Sequence, residues 1–420
     1  NRDILRSCHC MKRFFLFFSC LVSSYLLNAQ DWIWVQSNTN NILNSVHFPS
    51  IDTGYIAGNY GTILKTTDGG NTWLTLNSGT SSPLYGIFFT DSENGFAVGN
   101  HHILKTIDGG QTWIEKESGW GTKNAVYFYD NQTGYVAGDI GGYPCIYKTT
   151  DSGETWLQKT VNASYDYYLR SIDFVTPNIG FAVGFLYTGN PDFENHSGIL
   201  KTTDGGETWN EQDFGNINAR LTSVYFLNSQ IGFIVGGQYH INGQDKGIVF
   251  KTINGGQTWQ STLIETSQRL ESVYFINEQT GYIFGIFGKI LKTTDGGFSW
   301  SQTDTIWTFF YSVYFSSIDN GVAVGDNGSI IKTDFTNQFS HVIETEYNSY
   351  PNPTNTYVNI PLYNFTEDLS YLTIYNSWGQ VVKHQIINTD FEKVTLDVSM
   401  FEKGIYYYKY NNLKGKFIVY

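Results

Sequence analysis

Apolar and polar positions alternate in short runs through most of the chain, and glycine-rich turns divide the runs. The stretch from residue 45 shows the scheme. Ser45-Val-His-Phe48 reads as a first half-buried strand, and Tyr55-Ile-Ala57, set between glycines, as a second. Residues 62–66 form a third, the turn Asp68-Gly-Gly-Asn71 follows, and residues 73–76 form a fourth. Four short antiparallel strands in about 40 residues make one propeller blade.

The unit then repeats. An L-x-S-V-x-F segment leads to G-[YF]-x-x-G and on to I-L-K-T-x-D-G-G-x-T-W. The last part begins at Lys65, Lys105, Lys148, Lys201, Lys251 and Lys292, at spacings of 40, 43, 53, 50 and 41 residues. Its turn position holds Asp68, Asp108, Asp151, Asp204, Asn254 and Asp295. Its aromatic position holds Trp73, Trp113, Trp156, Trp209, Trp259 and Trp300. A seventh copy stops at Lys332-Thr333 without the turn. Trp32-Ile-Trp-Val-Gln-Ser37 resembles Trp73-Leu-Thr-Leu-Asn-Ser78, so the start of the mature chain is expected to supply the missing strand and close the ring. An open solenoid would call for capping repeats instead.

The turn has a structural logic. An Asp or Asn before Gly-Gly bonds the backbone of its own turn, and glycine supplies the positive φ. One acid per turn falls far short of the six to eight oxygens of a calcium site, so no metal is expected. The lysine before each turn recurs in every unit, Lys332 included, which favours a structural role.

T-x-D-G-G-x-T-W resembles the Asp box, or bacterial neuraminidase repeat. The longer pattern is similar to the photosystem II assembly and stability factor family. The resemblance covers residues 31–340 and implies an all-β fold with a seven-bladed propeller. It implies a binding or scaffold role and does not imply photosynthesis, since fold does not fix activity.

Beyond residue 340 the pattern changes. Residues 341–349 read as a linker. Alternating strands follow with frequent turn residues, which suggests a small Ig-like β-sandwich over 350–420. The order Tyr350-Pro-Asn-Pro353, Ile374-Tyr-Asn-Ser-Trp-Gly-Gln380, Gly404-Ile-Tyr-Tyr-Tyr408 and a terminal lysine-led strand resembles the type IX secretion C-terminal sorting domain. That implies a Bacteroidota-type Gram-negative bacterium and passage across both membranes. The tail would then be removed, and the protein released or tied to surface lipopolysaccharide.

The N-terminus agrees. Met11-Lys12-Arg13 precedes an apolar run from Phe14 to Leu27, too short to span a bilayer, and Asn28-Ala29-Gln30 follows. Residues 11–29 read as a secretory signal peptide and 1–10 as sequence upstream of the start. No later run is apolar enough for a transmembrane helix. The net charge is −13, and −16 without residues 1–30, so no basic stripe faces nucleic acid or a membrane. Of four cysteines only Cys145 remains, which leaves no internal disulfide.

Candidate chemistry is sparse. Beyond residue 30 the arginines are Arg170, Arg220 and Arg269, each at the entry of a first strand in units four to six. Insertions at 139–145, 185–197 and 237–246 lie at the same end, opposite the Asp turns. With Tyr168, Tyr187, Tyr239 and His240 they form the candidate binding surface, for an acidic glycan or protein segment. The arginines could instead pair with Asp166, Asp173 or Glu271. A sialidase-like glycosidase is the alternative function, but the expected arginine near the first blade is missing from 31–169. The pair His101-His102, taken as strand residues, would point to opposite faces and suits no metal. No catalytic residue or cofactor is expected, and the partners are the type IX machinery and an unknown extracellular protein or glycan.

Overall fold

The computed structural model describes residues 32–419 apart from 118, 187–196, 213–218, 239–245, 265–267, 334–355, 362–368, 377–380, 389–392 and 411–412. Residues 11–29 and 341–349, expected to be a signal peptide and a linker, lie outside the described residues.

Among the described residues, seven sheets follow one another along residues 32–333. The first pairs Leu43–His47, Gly54–Gly58, Thr62–Thr66 and Leu74–Asn77 in that order, all antiparallel. The next five repeat it, and the fourth gains an extra strand, Thr160–Asn162, parallel to Thr208–Glu211. The seventh combines Phe310–Ser317, Asn320–Gly325 and Ile330–Thr333 with Trp32–Val35 as its outermost strand. Trp32 lies opposite Thr333 and Val35 opposite Ile330. The truncated last copy is thus completed by residues 32–35.

The serine of L-x-S-V-x-F ties successive first strands together. Ser45 Oγ accepts the Ile87 N–H (3.3 Å), Ser171 Oγ that of Val224 (3.1 Å) and Ser272 Oγ that of Val313 (3.3 Å). Ser312 Oγ accepts the N–H of Val46 (3.2 Å), which brings the seventh sheet back to the first. The sheets therefore stand as blades around an axis, with the first strands innermost. This is a β-propeller.

The tryptophans pack where blades meet. Trp73 shares a buried cluster with Val322 and Val324 of the last blade and meets Phe48 edge-on at 6.0 Å. Phe174 and Trp209 repeat that contact at 5.7 Å, and Phe275 and Trp300 at 5.7 Å. In the seventh blade Trp32 takes the same part against Phe315, at 5.8 Å. The glycine opening G-[YF]-x-x-G has a steric reason. A Cβ on Gly54 would stand 2.4 Å from Phe48 Cε1, so the phenyl ring needs the bare backbone.

In the tail, Leu369–Tyr375, Val381–Asn388, Gly404–Tyr410 and Leu413–Val419 form one sheet, and Tyr357–Pro361 pairs with Lys393–Asp397 in another. Val358, Leu396, Ile374 and Phe417 share one buried core, so the two sheets pack face to face.

Candidate functional site

The Asp-turn end of the propeller is satisfied from within. Asp108 Oδ1 accepts the Thr106 hydroxyl (2.8 Å) and the Thr112 N–H (2.9 Å), while Oδ2 accepts the Thr112 hydroxyl (2.6 Å). Gly110 N–H closes the turn on Thr106 Oγ1 (2.9 Å). Asp68, Asp151, Asp204 and Asp295 repeat this set, and Asn254 keeps it with its amide donating to Thr258. The Thr112 bonds hold Asp108 down at about 2, and those of Thr155 do the same for Asp151. Blade three places Ser152, at φ 60, where the other turns have their first glycine. Most of these repeated lysines reach the next blade. Lys65 Nζ donates to Gly109 O (2.9 Å), Lys105 to Ser152 O (2.7 Å) and Lys332 to Asn71 Oδ1 (2.7 Å) across the closure. With their acceptor positions engaged inside the turns, these carboxylates have little left to offer a ligand.

The opposite end is irregular. All seven first strands bulge near their start, at Asn44, Tyr85, Asn124, Arg170, Thr222, Glu271 and Tyr311. Asn44 Nδ2 donates to Leu84 O (2.8 Å), Asn124 Nδ2 to Leu169 O (2.8 Å) and Thr222 Oγ1 to Leu270 O (2.7 Å), each on the next blade. Arg170 occupies this bulge position in blade four and is exposed. Arg220 and Arg269 stand two places earlier in their own blades, so the three arginines are not equivalent.

They also divide into two groups. The Arg220 guanidinium lies 5.7 Å over the Phe185 ring, and Phe185 stacks on Tyr168 at 6.2 Å. Arg170 lies near Asp139 of blade three, whose carboxyl burial pushes up. Arg269 instead binds Glu271 through Nη2 (2.5 Å) and Nε (2.7 Å), beside Tyr311, which donates to Asp326 (2.9 Å). The pairing with Glu271 held open by the sequence is therefore realised, and the expected cluster of three becomes two plus one. Tyr187, Tyr239 and His240 lie outside the described residues. Tyr167 is buried on Glu211.

Two expectations change here, and a third, that Cys145 is an inert strand residue, holds. The insertion at 139–145 is no loop. Gly134–Ile140 and Tyr143–Thr149 run on to a tight turn at Gly141 (φ 61) and Gly142 (φ 95). His101 and His102 lie in the turn between strands two and three, His101 at φ 69, and His102 Nδ1 faces Glu115 Oε1 at 2.5 Å. Cys145 is a buried strand residue whose thiol burial pushes up to about 12, which makes it unreactive.

Sequence reasoning missed the axis. The variable position between V and F of L-x-S-V-x-F brings a ring of side chains together around the axis. Tyr225, Tyr274 and Tyr314 follow one another with centroids 5.1 and 5.2 Å apart. Tyr314 meets His47 at 4.9 Å, His47 meets Phe88 at 4.3 Å, and Phe88 meets Tyr127 at 5.9 Å. Asp173 fills the one remaining place. Its oxygens accept the N–H groups of Phe174 (2.8 Å) and, on the next blade, Phe226 (2.6 Å). Burial raises Asp173 to about 7 and lowers His47 to about 3. No group of three or more His, Cys, Asp or Glu suited to a metal occurs among the described residues.

The fold and the tail together define an Asp-box propeller carrying an export domain. The family model described as Photosynthesis system II assembly factor YCF48 matches residues 73–158. The one described as Secretion system C-terminal sorting domain matches residues 348–419, so the tail is a sorting domain for type IX secretion. No match is found among curated proteins. Among solved structures, YCF48 bound to D1 peptide is 20% identical, with a TM-score of 0.56 over 72% of this chain and 94% of that one. YCF48 from Cyanidioschyzon merolae is 16% identical, with a TM-score of 0.55 over 72% and 98%. A GH74 xyloglucanase from Xanthomonas campestris is 10% identical, with a TM-score of 0.53 over 71% and 52%. At these identities the likeness shows the propeller fold.

Proposed function

We propose that the propeller is an exported binding module, delivered to the medium or the cell surface, that recognises an acidic polypeptide segment at the end opposite its Asp turns. In this reading residues 11–29 direct the first export step, 31–340 bind, 341–349 link, and 350–420 engage the type IX machinery. The observation that supports it most is the contrast between the ends. The Asp-turn end is closed on itself, whereas the other end presents Arg170, Arg220, Tyr168 and the extended blade-three hairpin. Arginine and tyrosine are favoured contact residues, and a basic patch on an acidic chain steers an acidic partner. A propeller of this fold, YCF48, has been solved with a peptide bound. Arg269, held by Glu271, contributes little to binding.

An array of acidic peptides probed with the full chain tests this. Bound peptides should dissociate with salt, and the double variant Arg170→Ala/Arg220→Ala should bind them about tenfold or more weakly. Unchanged binding by a folded double variant would overturn the placement. Turnover of fluorogenic glycosides would favour the glycosidase alternative. Removal of residues 350–420 should leave the propeller folded but held in the periplasm.

A further inference from the structure

We propose that the axial channel of the propeller is a receptor for a quaternary or methylated ammonium group, held by the aromatic ring and Asp173. The ring supplies six aromatic side chains in unbroken succession, from Tyr225 through His47 to Tyr127. With such spacing around seven blades, each ring stands roughly 6 Å from the axis, the range over which an aromatic face holds a cation. All seven members are half-buried, although they sit on innermost strands. The surface they keep is that of the channel.

The polar atoms of the ring are spent on the backbone, while Tyr127 and Tyr225 each stack one face on a phenylalanine, Phe174 and Phe275, at 5.9 and 6.5 Å. Tyr225 and Tyr274 donate their hydroxyls to the next blade, to Phe275 O (3.0 Å) and Phe315 O (3.0 Å). His47 Nδ1 accepts the Phe89 N–H (3.3 Å), and burial keeps this imidazole neutral, so it does not repel a cation. At the mouth, Asn44, Asn124 and Thr222 turn their donors onto backbone carbonyls instead of across the channel.

Asp173 is the second, independent observation. It is a carboxylate at a position where the other six blades place an aromatic ring. Among the described residues no cation pairs with it, and two backbone N–H groups are its only partners. An anion so enclosed, with no cation beside it, is costly unless a positive charge joins it. Tyr127 and Tyr225 flank it, and both feel its charge. A strongly hydrated primary ammonium would lose much of its water here with few acceptors in return. A methylated ammonium, which needs no hydrogen-bond acceptors, suits a carboxylate set among aromatic faces.

Calorimetry on the full chain tests the proposal with choline and its neutral isostere 3,3-dimethylbutan-1-ol. Choline should bind saturably, and the alcohol about tenfold or more weakly, because only the charge separates them. A peptide carrying trimethyl-lysine forms a second arm. Its binding in preference to choline would mean that the cation arrives on a polypeptide, and the reverse would mean a free small molecule. Asp173→Asn should weaken whichever ligand binds by about tenfold or more. Tyr274→Leu, which removes one aromatic face, should weaken it as well, with near-UV circular dichroism as the check of folding. Absence of binding by both cations overturns the proposal. So does equal affinity for the alcohol, or undiminished binding in a folded Asp173→Asn chain. The isostere comparison needs no variant, so it decides the matter even if the substitutions prevent folding.

Discussion

The two ends of the propeller are built from the same strands yet obey different rules. At the Asp-turn end, each turn from Asp68 to Asp295 spends its side-chain oxygens on its own turn, and lysines stitch it to the next blade. At the other end, equivalent positions diverge. The bulge residue is Asn44, Arg170, Thr222 or Glu271, and the tight turns place Tyr60 (φ 57) and Phe287 (φ 56) in a backbone region that favours glycine. Trp120 and Trp307 stand 83% and 85% exposed there. A position that repeats in every blade serves the ring, and a position that departs from the repeat is free to serve a ligand.

The largest effect should come from opening the ring. Deleting residues 31–38 removes the outermost strand of the seventh blade and the Trp32 contact with Phe315. The melting transition should fall steeply and broaden, and a wild-type melting temperature would contradict the closure. Next come the tryptophans. Trp209→Ala, at a fully buried site, should cost about 3–5 kcal/mol in denaturant unfolding. Trp307→Ala, at the irregular end, should stay within about 0.5 kcal/mol. Equal losses would erase the distinction between the ends.

The channel gives a smaller effect with a definite sign. His47 falls from 6.5 to about 3 on folding, so its contribution to stability is present above 6.5 and is lost as pH falls toward 3. Asp173 rises from 3.8 to about 7, so its contribution is present below 3.8 and is lost as pH rises through 7. Between about pH 4 and 6.5 the two slopes oppose each other. Asp173→Asn should therefore leave stability rising with pH in that window, and His47→Phe should leave it falling. Urea unfolding at several pH values reads both slopes, and identical slopes in the two variants would contradict this description of the ring. Arg269→Ala should leave peptide binding unchanged while lowering stability by about 1–3 kcal/mol, because it strands the buried Glu271 carboxylate without its partner.

Much of the scaffold was legible in the sequence because repetition exposes it. The spacing from Lys65 to Lys292 marked the blades, and the likeness of residues 32–37 to 73–78 marked the closure. The arginines were harder. Arg170 follows the leucine of L-x-S-V-x-F, whereas Arg220 and Arg269 precede it, so the offset was there to read, but which side of the leucine faces outward depends on a bulge that every first strand carries and an alternating pattern does not mark. The serine clamp was visible as a repeated letter whose partner lies on another blade. The channel ring occupied the variable position of the repeat, where Asp173 stands among aromatic residues. Comparing the copies at that one position would have found it.

The difference between the ends is tested most directly by hydrogen–deuterium exchange of the full chain with and without an acidic peptide selected from the array. Protection confined to residues 139–142, 168–170, 185–186 and 219–221, with the turns at 68–72, 108–112 and 204–208 unchanged, is the predicted result. Protection centred on those Asp turns would contradict it.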